Sequence, residues 1–298
     1  MSWRSVMISN PAQLNIKNRQ LVITQDDLVG LPLEDIAVIV ADTPEISLSA
    51  RLLSELAATD TALVVCDEKH LPSGIFLPYN SHSRQSKVLK MQVELSEPFK
   101  KRCWQKVVQC KIDNQARALE LLQLNRAKEL RSIAERVVSG DKDNCEAVAA
   151  NSYFREMFPY MTRDDGTIIN AGLNYGYAII RTAVARGLTA YGFHPALGIF
   201  HRSELNNFNL ADDFIEPFRP LVDMWVHSNL YEVEVFGKLQ RAGLVQLLHY
   251  DVFLKNGCRS VLNAVDVMMA SFAAACRDRD VALLELPTLV PLQLHSYE

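Results

Sequence analysis

The sequence lacks the signatures of several large protein classes. Its six cysteines include no C-x-x-C pair, which argues against zinc fingers and thioredoxin-like redox sites. It contains no G-x-x-x-x-G-K-[ST] loop, no G-x-S-x-G elbow and no H-E-x-x-H helix. No run reaches the ~18 uninterrupted apolar residues that span a membrane, and the first ten residues do not resemble a signal peptide. We therefore expect a soluble cytoplasmic protein with buried, reduced thiols.

Composition and periodicity predict an α+β multidomain fold. The 298 residues are 49% apolar and 22% charged, which is ordinary for a globular chain. Short β-prone runs such as IAVIVA (36–41) fill the first eighty residues, with one helix after them and further strands at TALVVCD and GIFLPY. Beyond the polar stretch 80–86, apolar residues recur at helical spacing. We expect a small β-rich domain at 1–82 and a larger α-helical domain at 83–298.

Charge is distributed unevenly along the chain. The net charge of −4 argues mildly against a nucleic-acid binder. Residues 26–67 hold nine acids and one base, whereas residues 84–142 hold fourteen bases and seven acids. The second segment is either a positive surface that faces phosphates or a lysine-rich helical face exposed to solvent.

Three ionisable residues stand in distinctive local patterns: Glu146 in CEAVAANSYF, His201 in GFHPALGIFH and Glu216 in LADDFIEPFRP. Two carboxylates and one imidazole suit a divalent cation such as Mg²⁺ or Mn²⁺. Such a site leaves positions for water and phosphate oxygens, as metal-assisted phosphoryl transfer requires. Glu146 falls in the first turn of a helix predicted to begin with Asp143 as its N-cap. An acid there can also serve only to complement the helix dipole.

The same segments contain competing ligands. His194 lies seven residues before His201, so the two can share a helical face, and either can bind a metal. Asp212 and Asp213 lie on the same helical face as Glu216, so either is an alternative acidic ligand.

Other polar residues in these segments are candidates for contact with DNA. Arg and Asn side chains suit the phosphate contacts that position a duplex, although each has an alternative structural role. The candidates are Asn174, Tyr175, Arg202, Asn206, Asn207 and Arg219.

Four motifs occur in one order along the chain: EAVAANSYF, LNYGYAI, GFHPALGIFH and ADDFIEPFRP. Together they resemble the core motifs of the CRISPR-associated adaptation integrase, the universal spacer-acquisition protein, and the type II variant is the most similar. The resemblance covers most of the chain and is strongest between Trp104 and Pro220. It points to Glu146, His201 and Glu216 as metal ligands and catalytic residues. It implies a structural role for His194 and keeps Asp213 as an alternative ligand.

The resemblance implies a fold, an activity and partners. The fold is a β-rich N-terminal domain that dimerises, followed by an all-α catalytic domain. The activity is that of a metal-dependent DNA endonuclease and integrase, with Mg²⁺ or Mn²⁺ as cofactor. A spacer 3′-hydroxyl attacks a phosphodiester at the repeat boundary. The partners are double-stranded DNA, a second copy of the chain and a small ferredoxin-like CRISPR-associated protein.

Two other functions are compatible with these residues, and two segments fit the resemblance less well. The chain can be a non-catalytic DNA-binding assembly subunit, or a nuclease that acts on branched DNA during repair. The segment 161–165 is less basic than expected near a DNA channel. The C-terminal PTLVPLQLHSYE, with its two prolines, is expected either to dock on a partner or to be disordered.

Overall fold

The computed structural model describes residues 3–78, 82–159 and 167–296. The first part of the chain forms eight strands and one helix. The strands are β1 (Arg4–Ile8), β2 (Ala12–Lys17), β3 (Gln20–Thr24), β4 (Leu28–Pro32), β5 (Ile36–Ala41), β6 (Ile46–Leu48), β7 (Ala62–Cys66) and β8 (Pro72–Phe76), and helix α1 is Ala50–Ala58. The predicted β-rich N-terminal region is confirmed.

These strands form two four-stranded sheets around one apolar core. The first has the order β1-β5-β7-β8, and its first three strands are parallel. The second has the order β4-β3-β2-β6. Every residue of β5 is buried. Ile39 and Ala41 join the core between the sheets and α1, whereas Val38 and Val40 join the core of the helical region. Strand β5 therefore connects the two regions.

The rest of the chain is largely helical, as predicted. The helices are α2 (Gln85–Val93), α3 (Glu97–Leu121), α4 (Ala127–Glu135), α5 (Cys145–Met157), α6 (Ile168–Ala190), α7 (Asn209–Ile215), α8 (Arg219–Leu230), α9 (Lys238–Gln246) and α10 (Val261–Asp278). Helix α6 runs through the core and packs closely on α8. A Cβ at Gly176 would lie 2.5 Å from Val222 Cγ1, so this crossing requires a residue without a side chain.

The second region is not all-α. Strands β9 (Tyr250–Leu254), β10 (Gly257–Ser260) and β11 (Thr288–Leu294) form an antiparallel sheet of order β10-β9-β11. The expectation that the C-terminal segment is disordered is wrong as far as residue 296, whereas docking on a partner stays a prediction. Asn114 Oδ1 accepts from Leu289 N at 3.1 Å, and Arg117 Nε donates to Leu289 O at 2.7 Å. Helix α3 thus holds β11 in place.

A buried ion pair joins the strand-rich and helical regions. Asp42, directly after β5, is fully buried. Arg241 of α9 donates from Nε to Asp42 Oδ1 at 2.8 Å and from Nη2 to Oδ2 at 2.8 Å. The Tyr175 hydroxyl of α6 donates to Oδ1 at 3.3 Å. A buried carboxylate without these donors would be strongly destabilising, so the pair is a structural tie.

The cysteines largely follow expectation. All six are free, and four are buried: Cys66, Cys103, Cys145 and Cys276. Burial raises the pKa of the Cys66 and Cys103 thiols to about 12, which keeps them protonated. Cys258 is exposed, so the expectation of buried thiols is wrong there. Among the helices in the described ranges, none is long and apolar enough to cross a membrane.

Candidate active site

Helix α5 presents Glu146 from its first turn, as predicted. The capping carboxylate belongs to Asp141, whose Oδ1 accepts from Cys145 N at 2.9 Å and whose Oδ2 accepts from Glu146 N at 3.0 Å. The prediction of Asp143 as N-cap is wrong. The chain enters the helix through Asn144 in a left-handed conformation, φ 54°, and this turn brings Asp141 onto the free backbone donors.

Glu216 lies in a short 3₁₀ turn, Glu216–Phe218, between α7 and α8. Its side chain is almost fully buried, and Arg219 Nε donates to its Oε1 at 2.8 Å. The Arg219 guanidinium in turn stacks on the Tyr177 ring, 4.6 Å from its centroid. The turn therefore fixes both the carboxylate and its guanidinium partner.

Glu146 and Glu216 converge on a single ammonium group. Lys111, buried in the middle of α3, donates from Nζ to Glu146 Oε1 at 2.6 Å. The same Nζ forms an ion pair with Glu216 Oε2. Within the described residues, that oxygen is buried and receives no hydrogen bond of normal geometry, and the Lys111 ammonium contacts it directly. Two acids from different helices thus share one cation.

The charged side chains of this cluster stabilise one another in their ionised forms. Burial would raise the pKa of Glu216, but the positive charges of Arg219 and Lys111 outweigh it and lower the pKa to about 2. Burial would lower the pKa of Lys111, but attraction by Glu216 and Glu146 raises it above its usual value. The carboxylate of Glu216 and the ammonium of Lys111 are therefore both ionised at neutral pH.

His201 is oriented by Asp213 of α7. Asp213 is fully buried, and its Oδ1 lies 2.8 Å from His201 Nδ1 and accepts from His201 N at 3.1 Å. Its Oδ2 accepts from Ile199 N at 2.7 Å and Phe200 N at 3.2 Å. With Nδ1 bonded to Asp213, the ring nitrogen left for a metal is Nε2. Asp213 therefore orients the imidazole, and both of its oxygens accept hydrogen bonds from this segment.

The charge environment of His201 links it to the other two candidates. The hydrogen bond to Asp213 raises the pKa of His201, and the negative charges of Glu216 and Glu146 contribute in the same direction. The ring also lies edge-on to Trp104, with centroids 5.5 Å apart. The imidazole is therefore near enough to both carboxylates to sense their charge.

The segment that carries His201 is a loop, so the predicted helical face shared by the two histidines is wrong. Gln92 of α2 donates from Nε2 to His194 O at 3.0 Å and to Leu197 O at 2.9 Å, and accepts from His194 N at 2.9 Å. A Cβ at Gly198 would collide with the backbone of His201 and come within 2.9 Å of Asp213 Oδ2. The close turn between Pro195 and His201 requires that glycine.

The remaining acid of the motif has other partners. Asp212 Oδ2 accepts from Asn206 Nδ2 at 2.7 Å, and its Oδ1 lies 3.7 Å from Arg181 Nη1. Asp212 therefore stabilises the loop and α6.

Two adjoining cavities border the cluster. One has a volume of about 520 Å³ and the other about 460 Å³. Both are lined by Lys111, Glu146, Ala150 and Phe154. Glu216 and Arg219 line only the smaller one. The carboxylates therefore face a cleft beside α5.

The candidate DNA contacts are placed unequally. Asn174 is exposed and lines the cleft beside Arg219. Arg202 is exposed and paired with Glu97 at 2.6 Å, and Asn207 is exposed on the same loop. Tyr175 is fully buried against Asp42, where it has a packing role. The segment 161–165 lies outside the described residues.

The candidate ligands have the right chemistry for a divalent cation, but they are not grouped closely enough in this structure. Within the described ranges, no three His, Cys, Asp or Glu side chains are close enough to hold a metal ion together. Nevertheless, Glu146 and Glu216 already converge on one positive charge, the ammonium of Lys111. Hard carboxylate oxygens and an oriented imidazole are ligands that Mg²⁺ and Mn²⁺ accept. Their chemistry suits such an ion, whose binding would require the three side chains to move closer together.

Sequence reasoning missed Lys111, Asp141 and Gln92. Lys111 had a detectable signal, because it lies on the apolar stripe of α3 with Val107, Val108 and Ile112. A charge on such a stripe indicates a buried, paired group. Gln92 and Asp141 act through the backbone of distant or turned segments, and their sequence neighbourhood carries no such signal.

Comparison with known proteins agrees with the resemblance seen in the motifs. The family described as CRISPR associated protein Cas1 matches residues 6–236. The CRISPR-associated endonuclease Cas1 of Neisseria meningitidis serogroup C (strain 8013) is 46% identical over 308 residues, covering 100% of both chains.

Two solved structures share the fold. The "Casposase bound to integration product" has 16% identity and a TM-score of 0.73, over 94% of this chain and 91% of that one. A chain of the "Cas6-RT-Cas1--Cas2 complex" has 17% identity and a TM-score of 0.72, over 94% of this chain and 36% of that one. The matched span and the full-length relative show that the chain belongs to the Cas1 family.

Proposed function

We propose that this protein is a divalent-metal-dependent DNA endonuclease and integrase of CRISPR adaptation. The observation that carries the proposal is the convergence of Glu146 and Glu216 on one cation, together with the orientation of the His201 imidazole by Asp213. Membership of the Cas1 family supports it, since a relative that is 46% identical is named an endonuclease. A protein of the same fold is named as bound to an integration product.

Each residue has a defined task in this proposal. Glu146, Glu216 and His201 Nε2 hold Mg²⁺ or Mn²⁺, and Asp213 keeps the imidazole in the tautomer with Nε2 free. When bound, the ion lowers the pKa of the attacking 3′-hydroxyl and offsets charge on the phosphate. Arg219 adds a fixed positive charge at the edge of the cleft, where charge develops on the transferred phosphoryl group. No covalent enzyme intermediate is required.

DNA enters by the cleft along α5 and by the exposed loop that carries His201. Asn174 and Arg219 line the cleft, and Arg202 and Asn207 are exposed on the loop. These groups suit phosphate contacts that position a duplex without reading its sequence. The first region, which includes the acidic residues 26–67, is the less suitable surface for DNA.

A joining assay tests the proposal. A labelled short duplex, a supercoiled plasmid with a CRISPR repeat, the partner protein and Mn²⁺ are incubated with wild type, Glu146→Gln or Glu135→Gln. Glu135 is an exposed acid at the end of α4 and serves as the matched control. We expect joining by wild type and Glu135→Gln, and none by Glu146→Gln or with EDTA.

The other outcomes separate the alternatives. Strands that are shortened and never joined would indicate a nuclease of branched DNA. DNA bound by wild type without any reaction would indicate a non-catalytic assembly subunit. Joining by Glu146→Gln at the wild-type rate would refute the assigned site.

We also propose that the protein acts as a homodimer with a small ferredoxin-like partner. The partner is supported by a protein of this fold that is named in a "Cas6-RT-Cas1--Cas2 complex", and the dimer rests on the family resemblance alone. Light scattering after size-exclusion chromatography should give twice the chain mass of 33.6 kDa for the protein alone. A monomeric mass at micromolar concentration would contradict the dimer.

A further inference from the structure

Lys111 occupies an unusual position for a lysine. It lies on the buried stripe of α3, which also contains Val108, Ile112 and, one turn later, Gln115. Only 8% of the residue is exposed. Lysine is almost never buried to this extent unless its charge is paired, because desolvation of an ammonium is costly. The partners of the amine therefore define its role.

Those partners are the two carboxylates assigned to the metal. Within the described ranges, Lys111 Nζ contacts Glu146 Oε1 at 2.6 Å and Glu216 Oε2, and no backbone carbonyl. Arg219 differs in this respect, since it binds the other oxygen of Glu216 and also rests on the Tyr177 ring. Among the residues that the structure describes, Lys111 is the cation paired with both acids.

We propose that Lys111 is a built-in counter-ion of the metal site, which holds Glu146 and Glu216 together until a divalent cation displaces it. This inference rests on the proposed metal site. A carboxylate oxygen that accepts a short bond from an ammonium is not free to bind a cation from the same direction, and the two positive charges repel each other. Metal binding and the Lys111 contacts therefore compete for these two carboxylate oxygens.

The surroundings of Lys111 allow this exchange. The side chain lines both cavities of the cleft, so the flexible amine has open space on the side away from α3. Without the lysine, the facing carboxylates would repel each other in the metal-free protein. The contact therefore stabilises the resting state and lowers the apparent affinity for metal.

The inference is tested by measuring Mn²⁺ affinity. Calorimetry gives the heat of binding, and electron spin resonance gives the fall in the signal of free Mn²⁺. The variants are Lys111→Met, Lys111→Arg and Lys128→Met, the last an exposed lysine on α4 that controls for the lost charge. We expect Lys111→Met to bind Mn²⁺ about tenfold tighter than wild type. Lys128→Met should match wild type. Affinity of Lys111→Met equal to or below that of wild type overturns the inference.

The arginine variant keeps the test decisive if Lys111→Met does not fold. The planar guanidinium can bind two carboxylates at once and is harder to displace, so Lys111→Arg should bind Mn²⁺ several-fold more weakly than wild type. Wild-type or tighter affinity in Lys111→Arg overturns the inference. A further readout is thermal: Mn²⁺ should raise the Tm of Lys111→Met more than that of wild type.

The variant Glu146→Gln separates this inference from the proposed function. If wild type binds Mn²⁺ and Glu146→Gln does not, the metal site is supported. Equal binding by wild type and Lys111→Met then refutes only the counter-ion role. If wild type binds no Mn²⁺, or Glu146→Gln binds as well as wild type, the metal site and the counter-ion role both fail.

Discussion

The orienting carboxylate Asp213 gives a sharp prediction, because its neighbour Asp212 provides a matched control. In Asp213→Asn, one oxygen becomes an NH₂ group. The four donors that the carboxylate accepts, including His201 Nδ1, then compete for one oxygen. At least one buried donor loses its acceptor, which costs about 1–3 kcal/mol of folding free energy. Loss of such an orienting partner also lowers metal affinity or activity by about 10–100-fold.

The assay compares initial DNA-joining rates and Mn²⁺ affinities of wild type, Asp213→Asn and Asp212→Asn, each corrected for folded protein by urea denaturation. Asp212 is partly exposed and binds Asn206 and Arg181, so Asp212→Asn should lose less than about 1 kcal/mol and keep the wild-type rate within about threefold. Wild-type joining by Asp213→Asn, or equal effects of the two substitutions, would refute the orienting role.

Three further predictions concern stability. Arg241→Met should lower the free energy of unfolding by about 3–5 kcal/mol in urea, because it leaves Asp42 charged and buried. A loss below about 1 kcal/mol would contradict this. Gly176→Ala should cost about 1–3 kcal/mol, because the new methyl group would overlap Val222 on α8; an unchanged Tm would show that the helices can separate freely. Burial raises the pKa of Asp223 from 3.8 to about 7, although hydrogen bonds from Tyr177 and Tyr153 oppose the rise. The folded state therefore binds the Asp223 proton more tightly than the unfolded state does. This difference contributes fully to the free energy of unfolding below about pH 4, and the contribution is lost as the pH rises to about 7. Between about pH 4 and 8, the stability of Asp223→Asn relative to wild type should rise by roughly 3–4 kcal/mol in urea titrations; a pH-independent difference would be inconsistent with the raised pKa.

The spacing of apolar residues was enough to predict those strands and helices whose burial follows from their own sequence. The run IAVIVA became β5 without any shift in its bounds, because six apolar residues in a row suit a strand covered on both faces. The change from strands to helices was also visible, with the last strand of the first region ending at Phe76 and α2 beginning at Gln85. The division at 82 and 83 into two domains stays a prediction, since β5 contributes to both cores.

Elements fixed by distant contacts were not predictable. Strand β11 forms because Asn114 and Arg117 hold its backbone from a helix about 170 residues earlier in the chain. The loop before α7 is not helical, because Gln92 binds its carbonyls and Gly198 permits a tight turn. Turn signals at Pro195 and Gly198 were present, but the seven-residue spacing of the histidines favoured a helix.

For the candidate site, residue types were more informative than geometry. The motifs identified Glu146, His201 and Glu216, and the structure brings the two acids onto one cation. Their assignment as ligands stays a proposal. Spacing alone could not distinguish Glu216 from Asp213, whereas the partners do, because Asp213 is occupied by backbone donors and the imidazole. The role of Lys111 depends on the packing of α3 against α5 and the turn at Glu216.

Anomalous diffraction at the manganese edge, from crystals grown with Mn²⁺, would identify the residues that hold the ion. We expect one strong peak within coordination distance, about 2.0–2.3 Å, of Glu146, Glu216 and His201 Nε2, with Lys111 withdrawn from the two carboxylates. A peak bound instead by Asp212 or Asp213, or no peak in the cleft at saturating Mn²⁺, would contradict it.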